Sequence, residues 1–361
     1  MRKHLFIIIA ITLACFSSCS KESSLPIVQE PDELSRRPIK PTVNEIPVTR
    51  PEIIDESFDL DDRIHAFSWK LFKQFYQGSK DNVLIAPYDI MSSLKYRTAQ
   101  KGIEAQTRLY AMMDVNYFSD KEIDNYFKYT DEYFNDPEFL TYGPHVRYRK
   151  SFVQEPDRLI RTINFSGGWA QVFDKSETKK MIFHKADGSE EEVDMMYRVH
   201  GAYHHVFNAY TMVRIDVLDG NFDSFFILPN EGYTIEDVIK RISPSDFKCN
   251  DAKRVYLWMP KFNVQQRNML DDDMLQQLGF SHADTRSESD DDPDIVKTIW
   301  QDCALSVTEK GFVDSLDMSW SISCHIPYSK SFAYFHLDRP FIYGVLQRFR
   351  NTPLIIGYYG Y

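Results

Sequence analysis

The stretch Phe335-His336-Leu337-Asp338-Arg339-Pro340-Phe341-Ile342-Tyr343-Gly344-Val345 is a specific pattern, set in strand-rich sequence that runs to Tyr361. Upstream of it, Leu305-Ser306-Val307-Thr308-Glu309-Lys310-Gly311 reads as a strand ending at a glycine, and Phe225-Phe226-Ile227-Leu228 is stopped by Pro229-Asn230-Glu231-Gly232. From about Gly168 onward the apolar period is close to two. One helix interrupts at Ile235 to Ile242, and another is expected from Asn268 to Leu278, capped by Gly279. Earlier in the chain, Ile64, Phe67, Leu71, Phe72 and Phe75 recur at helical spacing until Gly78. Val83-Leu84-Ile85 then leads to Pro87 and a second helical stretch holding Ile90, Leu94, Met112 and Met113. Helices early and strands late, with no regular βαβ alternation, predict an α+β fold: N-terminal helices packed on large mixed β-sheets.

The 361 residues are 43% hydrophobic and 14% aromatic, enough for one large core or two modest ones. Lys and Arg number 42 against 53 Asp and Glu, and the net charge of −11 repels nucleic acid. The positive head Met1-Arg2-Lys3-His4, the apolar run Leu5 to Phe16 and Ser17-Ser18-Cys19 read as a secretory signal peptide. Small residues directly before a cysteine resemble the lipobox of bacterial lipoproteins. The expectation is a signal peptide over 1–19, acylation at Cys19 with Cys15 as the alternative, and an exported chain anchored by lipid to the outer membrane. Pro26, Pro31, Pro38, Pro41, Pro47 and Pro51 make 20–56 an extended tether, leaving 57–361 as the folded domain. Cys249, Cys303 and Cys324 are too few for a disulfide framework and read as free thiols, buried or half-buried.

Motifs of catalysis are missing: the sequence holds no Gly-x-Gly-x-x-Gly, no phosphate loop, no Gly-x-Ser-x-Gly and no His-Glu-x-x-His. His204-His205 sits in strand-like sequence, where neighbours point to opposite faces, and reads as ordinary surface or hydrogen-bonded histidine. The acidic run Ser287 to Asp294 lacks the glycine and distal glutamate of a calcium loop and reads as solvated. The expectation is a protein that is not an enzyme, with no metal and no cofactor.

The Phe335 to Val345 stretch resembles the signature that serpins carry just after their reactive loop. Asn82-Val83-Leu84-Ile85-Ala86-Pro87, Ile163-Asn164-Phe165-Ser166-Gly167-Gly168-Trp169, Met195-Met196, Phe226-Ile227-Leu228-Pro229, Leu257-Trp258-Met259-Pro260-Lys261-Phe262 and Leu275-Gln276-Gln277-Leu278-Gly279-Phe280 are similar to serpin blocks and fall in serpin order. Leu305 to Gly311 resembles the strand that runs into the hinge of that loop. The resemblance covers most of 58–361. One interval departs from it: 82 positions separate Pro87 from Trp169, roughly 60 fewer than in a full-length serpin, too large a loss for loop tips alone. The resemblance therefore implies a shortened helical and sheet A region between residues 114 and 160, and a narrower sheet A.

A serpin, as the resemblance implies, offers its exposed loop to a peptidase; once cut, the loop enters the sheet as a new strand. The family's hinge length puts the loop at about 312–330, pivoting on Gly311, with the scissile bond near His325-Ile326 and Cys324 one residue away. On insertion Phe312, Asp314, Leu316, Met318, Trp320 and Ile322 would face inward. Five of those six are apolar, and burying them yields on the order of 8 to 15 kcal/mol gross. Phe312 and Asp314 enter first, a bulky ring and a charge where inhibitory relatives carry small residues. The same alternation also suits a half-buried strand already in place. Trp169 matches the tryptophan of the breach, the sheet's upper opening. At the shutter, beneath the opening strands, Asp89, Arg161 and Gln301 stand where the family has serine, asparagine and histidine, so an Asp89–Arg161 ion pair with Gln301 bridging is expected. The resemblance implies two functions: an inhibitor of an extracellular or periplasmic serine or cysteine peptidase, or a non-inhibitory binding or structural lipoprotein that keeps the scaffold.

Overall fold

The computed structural model describes residues 59–135, 146–155, 158–217, 222–280, 298–312, 331–348 and 350–361. The signal peptide, Cys19, the tether, the acidic run and residues 313–330 lie outside them.

Helix α1 (Leu60–Tyr76) starts where the Asp59 carboxylate accepts the Asp62 amide at 2.9 Å, and it buries Ile64, Phe67, Leu71 and Phe72 at helical spacing. Strand β1 (Val83–Ile85) follows, then α2 (Pro87–Lys101), with Pro87 in its first turn. The second helical stretch is two helices rather than one: Gly102, at φ +101°, breaks α2 from α3 (Ile103–Met112). A further helix, α4 (Asp120–Asn135), occupies the shortened interval and stacks Phe127 on Tyr88 at 5.7 Å.

Strands begin before Gly168, earlier than the period change indicates: β2 (Val146–Glu155) and β3 (Arg158–Gly168) form an antiparallel pair. There follow β4 (Lys179–His184), β5 (Glu190–Val206), β6 (Tyr210–Asp216) and β7 (Phe222–Pro229). Helix α5 (Ile235–Arg241) is fixed by a Thr234–Asp237 capping box. Next come β8 (Ala252–Pro260) and β9 (Phe262–Leu270). The helix expected from Asn268 begins later, as α6 (Asp272–Leu278), where Asp271 caps it. Asn268 belongs instead to β9, because its buried amide donates to the Leu84 carbonyl at 2.7 Å. The chain ends with β10 (Thr298–Val307), β11 (Gly311–Phe312), β12 (Phe332–His336), β13 (Phe341–Gln347) and β14 (Thr352–Tyr359).

Two mixed sheets result. The larger runs β1-β14-β13-β7-β6-β5-β8-β12, with β4 beside β5; only its β12–β8 pair is parallel. In the smaller, β2, β3, β10 and β9 lie side by side and the short β11 pairs with the far end of β3; β3 and β10 are parallel. Among the described residues this sheet therefore has four long strands. The Phe335 to Val345 stretch carries the chain from β12 into β13 across a tight corner. There the Leu337 amide donates to Trp258 O at 3.0 Å, the His184 amide to Asp338 O at 2.8 Å, and Arg339 to Pro229 O at 3.1 Å. Gly344 has no room for a side chain, since a Cβ there would lie 2.2 Å from Ile355 O and 2.3 Å from the Phe225 ring.

Candidate functional site

Below its upper end the smaller sheet is closed: β3 and β10 pair in parallel from Arg158 with Thr298 up to Asn164 with Ala304. Above that level β3 continues to Gly168 and β10 to Val307 without pairing to each other, and the chain then turns at Thr308 to Lys310, held by Thr308 N to Gly311 O at 2.9 Å. The returning β11 pairs antiparallel with β3, Gly311 opposite Gly168 and Phe312 opposite Gly167. Gly311 sits at φ +135°, and a Cβ on it would lie 2.2 Å from Gly167 O, so only glycine fits.

Phe312 is 1% exposed, its ring 4.6 Å from Trp169 and 5.5 Å from Phe165. This corrects the expectation of a loop exposed from residue 312: its first side chain is already inward and buried. Asp314, Cys324, His325 and Ile326 lie outside the described residues.

Trp169 is buried and ties this corner together. Its indole N–H donates to Thr308 O at 2.8 Å and its amide to Lys310 O at 3.1 Å. Between those two carbonyls, Glu309 accepts the Phe173 amide at 2.9 Å through its own carbonyl, while its carboxylate meets Lys261 Nζ at 3.1 Å and Thr178 Oγ1 at 3.1 Å. Burial alone would raise the Glu309 carboxyl, but the backbone, Lys261 and Thr178 bonds bring it below the usual range. Lys261 and Thr178 were not legible as partners of Glu309 in sequence; the one signal was the Glu309-Lys310 pair directly before the pivot glycine.

Lower down, Asp89 on α2 is 1% exposed and Arg161 on β3 is 11% exposed, with Arg161 Nε 3.7 Å from Asp89 Oδ1. Gln301 stands opposite Arg161 in the β3–β10 register; its side-chain amide donates to Asp89 Oδ2 at 3.2 Å and Ala86 O at 3.0 Å, and accepts Ala86 N at 3.0 Å. Arg161 Nε also donates to Ser93 Oγ at 2.9 Å, and Ser93 returns a bond to Asp89 O at 2.8 Å. Burial pushes the neighbouring Cys303 thiol well up, with the Asp89 charge adding to the effect. The structure thus brings Asp89, Arg161 and Gln301 together across the two strands that a new central strand would have to part.

A model of the serpin family, described as serine protease inhibitor, matches residues 150–359. The chain belongs to the serpin family. An uncharacterized serpin-like protein of Methanosarcina mazei is 26% identical over 231 residues, 58% of this chain and 51% of that protein. Plasminogen activator inhibitor 1 of Neovison vison is 26% identical over 223 residues, 55% of this chain and 52% of that protein. The chain spans about half the length of the curated relatives it matches. In fold, human thyroxine-binding globulin complexed with its hormone aligns with TM-score 0.69 at 17% identity, over 83% of this chain and 98% of that one. The thermophilic serpin tengpin in its native state aligns with TM-score 0.64 at 18% identity, over 89% and 99%.

Trp169, expected at the breach, lies at the upper end of the smaller sheet with the Glu309–Lys261 pair, and Asp89, Arg161 and Gln301, expected at the shutter, meet lower down. Serpins are typically peptidase inhibitors rather than enzymes. His204 is buried and His205 half-buried on β5, so the pair is not a surface feature. Cys303 is buried and Cys249 half-buried, both free thiols; Cys324 lies outside the described residues.

Proposed function

We propose that this serpin inhibits an exported peptidase by offering residues 313–330 as bait and drawing the cut loop into the smaller sheet. The observation that carries this reading is the arrangement of β3, β10 and β11: two parallel strands adjoin each other, and the antiparallel strand that would separate them has begun at their upper end. Phe312, the first residue expected to obstruct entry, is already seated. Further insertion must part seven register pairs between β3 and β10 and move Asp314 through the opening. The scissile bond of this reading is the one near His325-Ile326. The signal sequence and the Cys19 lipobox-like site support anchoring by lipid to the outer membrane, where an exported peptidase would meet it.

A second reading, a non-inhibitory binding lipoprotein, is favoured by the ion-paired shutter, which is harder to part than a neutral one. Incubation of the domain with a panel of serine and cysteine peptidases, followed by denaturing gels, separates the two. Inhibition gives a covalent band that survives boiling. Clean cleavage by every peptidase, with no such band, rejects the inhibitor reading.

A further inference from the structure

Behind Gly167 and Phe165, which flank the seat of Phe312, lies a second layer. It comes from the end of the β6–β7 hairpin. There Val217 forms a bridge to Trp169, its side chain lying 2.8 Å from where a Cβ on Gly167 would be, so it backs the β3 residue opposite Phe312. Phe222 packs its ring 5.9 Å from Phe165, the ring that in turn touches Phe312. The hairpin is stitched to the breach through Ala170 N to Asp216 O at 3.1 Å and closed by Val217 N to Phe222 O at 3.1 Å.

Next to Val217 and Phe222 in sequence are Asp216 and Asp223, two carboxylates directly opposite each other across the hairpin. Like charges in that position repel, and Asp223 is fully buried. What holds them is a pair of arginines. Arg348, just past β13, reaches both: its Nε donates to Asp223 at 3.1 Å and its Nη2 to Asp216 and Asp223 together. Arg214 donates to Asp223 at 3.0 Å from below and is itself anchored on Cys249 O and Asn250 at 2.6 and 2.9 Å. The planar guanidinium of Arg348 spans two acceptors in a way a single ammonium cannot.

We propose that Arg348 is the positioning residue of the hinge seat: by clamping Asp216 to Asp223 it holds Val217 and Phe222 where they back Gly167, Trp169 and Phe165, the residues that receive Phe312. This rests on β11 being the start of loop insertion, but its test reads the seat and not inhibition, so the two fail separately. Arg348→Gln loses the cationic clamp; the hairpin end separates, and the hinge loosens through contacts that Arg348 itself does not make.

Hydrogen exchange with mass spectrometry on the folded full domain tests this. In Arg348→Gln the peptides holding Trp169, Gly311 and Phe312 should exchange about tenfold faster than in the parent, while those of α2 and β4 change far less. Val238→Ala, in α5 and outside the network, serves as a variant of comparable lowered melting temperature; it should leave the hinge no faster than the rest of the chain. Arg348→Lys, which keeps the charge, should give a hinge rate between parent and Gln variant, and it carries the test alone if Arg348→Gln does not fold. A hinge that exchanges at the parent's rate in both Arg348 variants overturns the proposal, as does one that loosens no more than in Val238→Ala.

Discussion

Gly311 concentrates the problem of the hinge in one atom. At φ +135° a side chain is strained, and the added carbon would press on the Gly167 carbonyl from 2.2 Å. Gly311→Ala should therefore expel β11 from the sheet top at a cost of about 1 to 3 kcal/mol. Limited proteolysis at 308–312 reads it: faster nicking than in the parent is expected, and an unchanged rate would show that β11 tolerates the methyl. A second residue-scale effect belongs to His65. It is fully buried, accepts a hydrogen bond from the Trp69 indole N–H at 3.0 Å and bonds the Asn351 carbonyl, and burial lowers it to about 3. His200, buried beside Phe173, is lowered to about 3 in the same way. Between those values and the ordinary 6.5 the unfolded chain binds the proton and the folded one does not, so stability is complete above about 6.5 and is lost as pH falls toward 3. Each site adds about 1.4 kcal/mol per pH unit to that slope. Melting temperature followed from pH 7 to 4 should fall, and less steeply in His65→Phe; identical slopes in parent and variant would place the proton elsewhere.

At the scale of elements, the shutter joins α2, β3 and β10. Asp89→Ala leaves Arg161 without its carboxylate at a nearly buried site and should destabilise by about 3 to 5 kcal/mol; a thermal melt that hardly moves contradicts the pairing. The residue types at these positions were legible in sequence because the serpin-like blocks fix their order along the chain. Other elements were not legible, for reasons of context. Asn268 looked like the start of a helix because its apolar neighbours Leu270, Met274 and Leu275 suit a helical face, and only the Leu84 carbonyl, distant in sequence, makes it a strand residue. Gly102 was a lone glycine in helical sequence, and its left-handed backbone, which splits the stretch in two, leaves no periodic trace. β2 went unread, and β3 was marked only at its end by the serpin-like Ile163 to Trp169 block, because their pairing partners, each other and β10, supply the order that the local pattern lacks. The breach ion pair is a similar case, since Glu309 and Lys261 meet only through the sheets that carry them. Asp314 is the charged residue that the proposed insertion would have to admit. If the loop inserts, Asp314→Ala should raise the share of chain that ends as boiling-resistant complex rather than cleaved product, because no carboxylate need be desolvated on entry; an unchanged share would mean that entry at 314 is not limiting.

For the molecule as a whole, the short interval before Trp169 leaves α4 and β2 where full-length serpins carry more, and the smaller sheet has four long strands among the described residues. A loop entering such a sheet would pass between β3 and β10, where the seven pairs now close it and β11 lies at their upper end. With Phe312 already buried, Leu316, Met318, Trp320 and Ile322 are the apolar side chains whose burial would have to offset parting those pairs and the shutter. The direct test is to cut the loop within 313–330 with a peptidase, keep the two fragments together, and melt the cut and intact proteins side by side. Strand insertion predicts a cut form that melts more than about 10 °C above the intact one. A cut form that melts at or below the intact temperature would mean that the sheet does not take the loop.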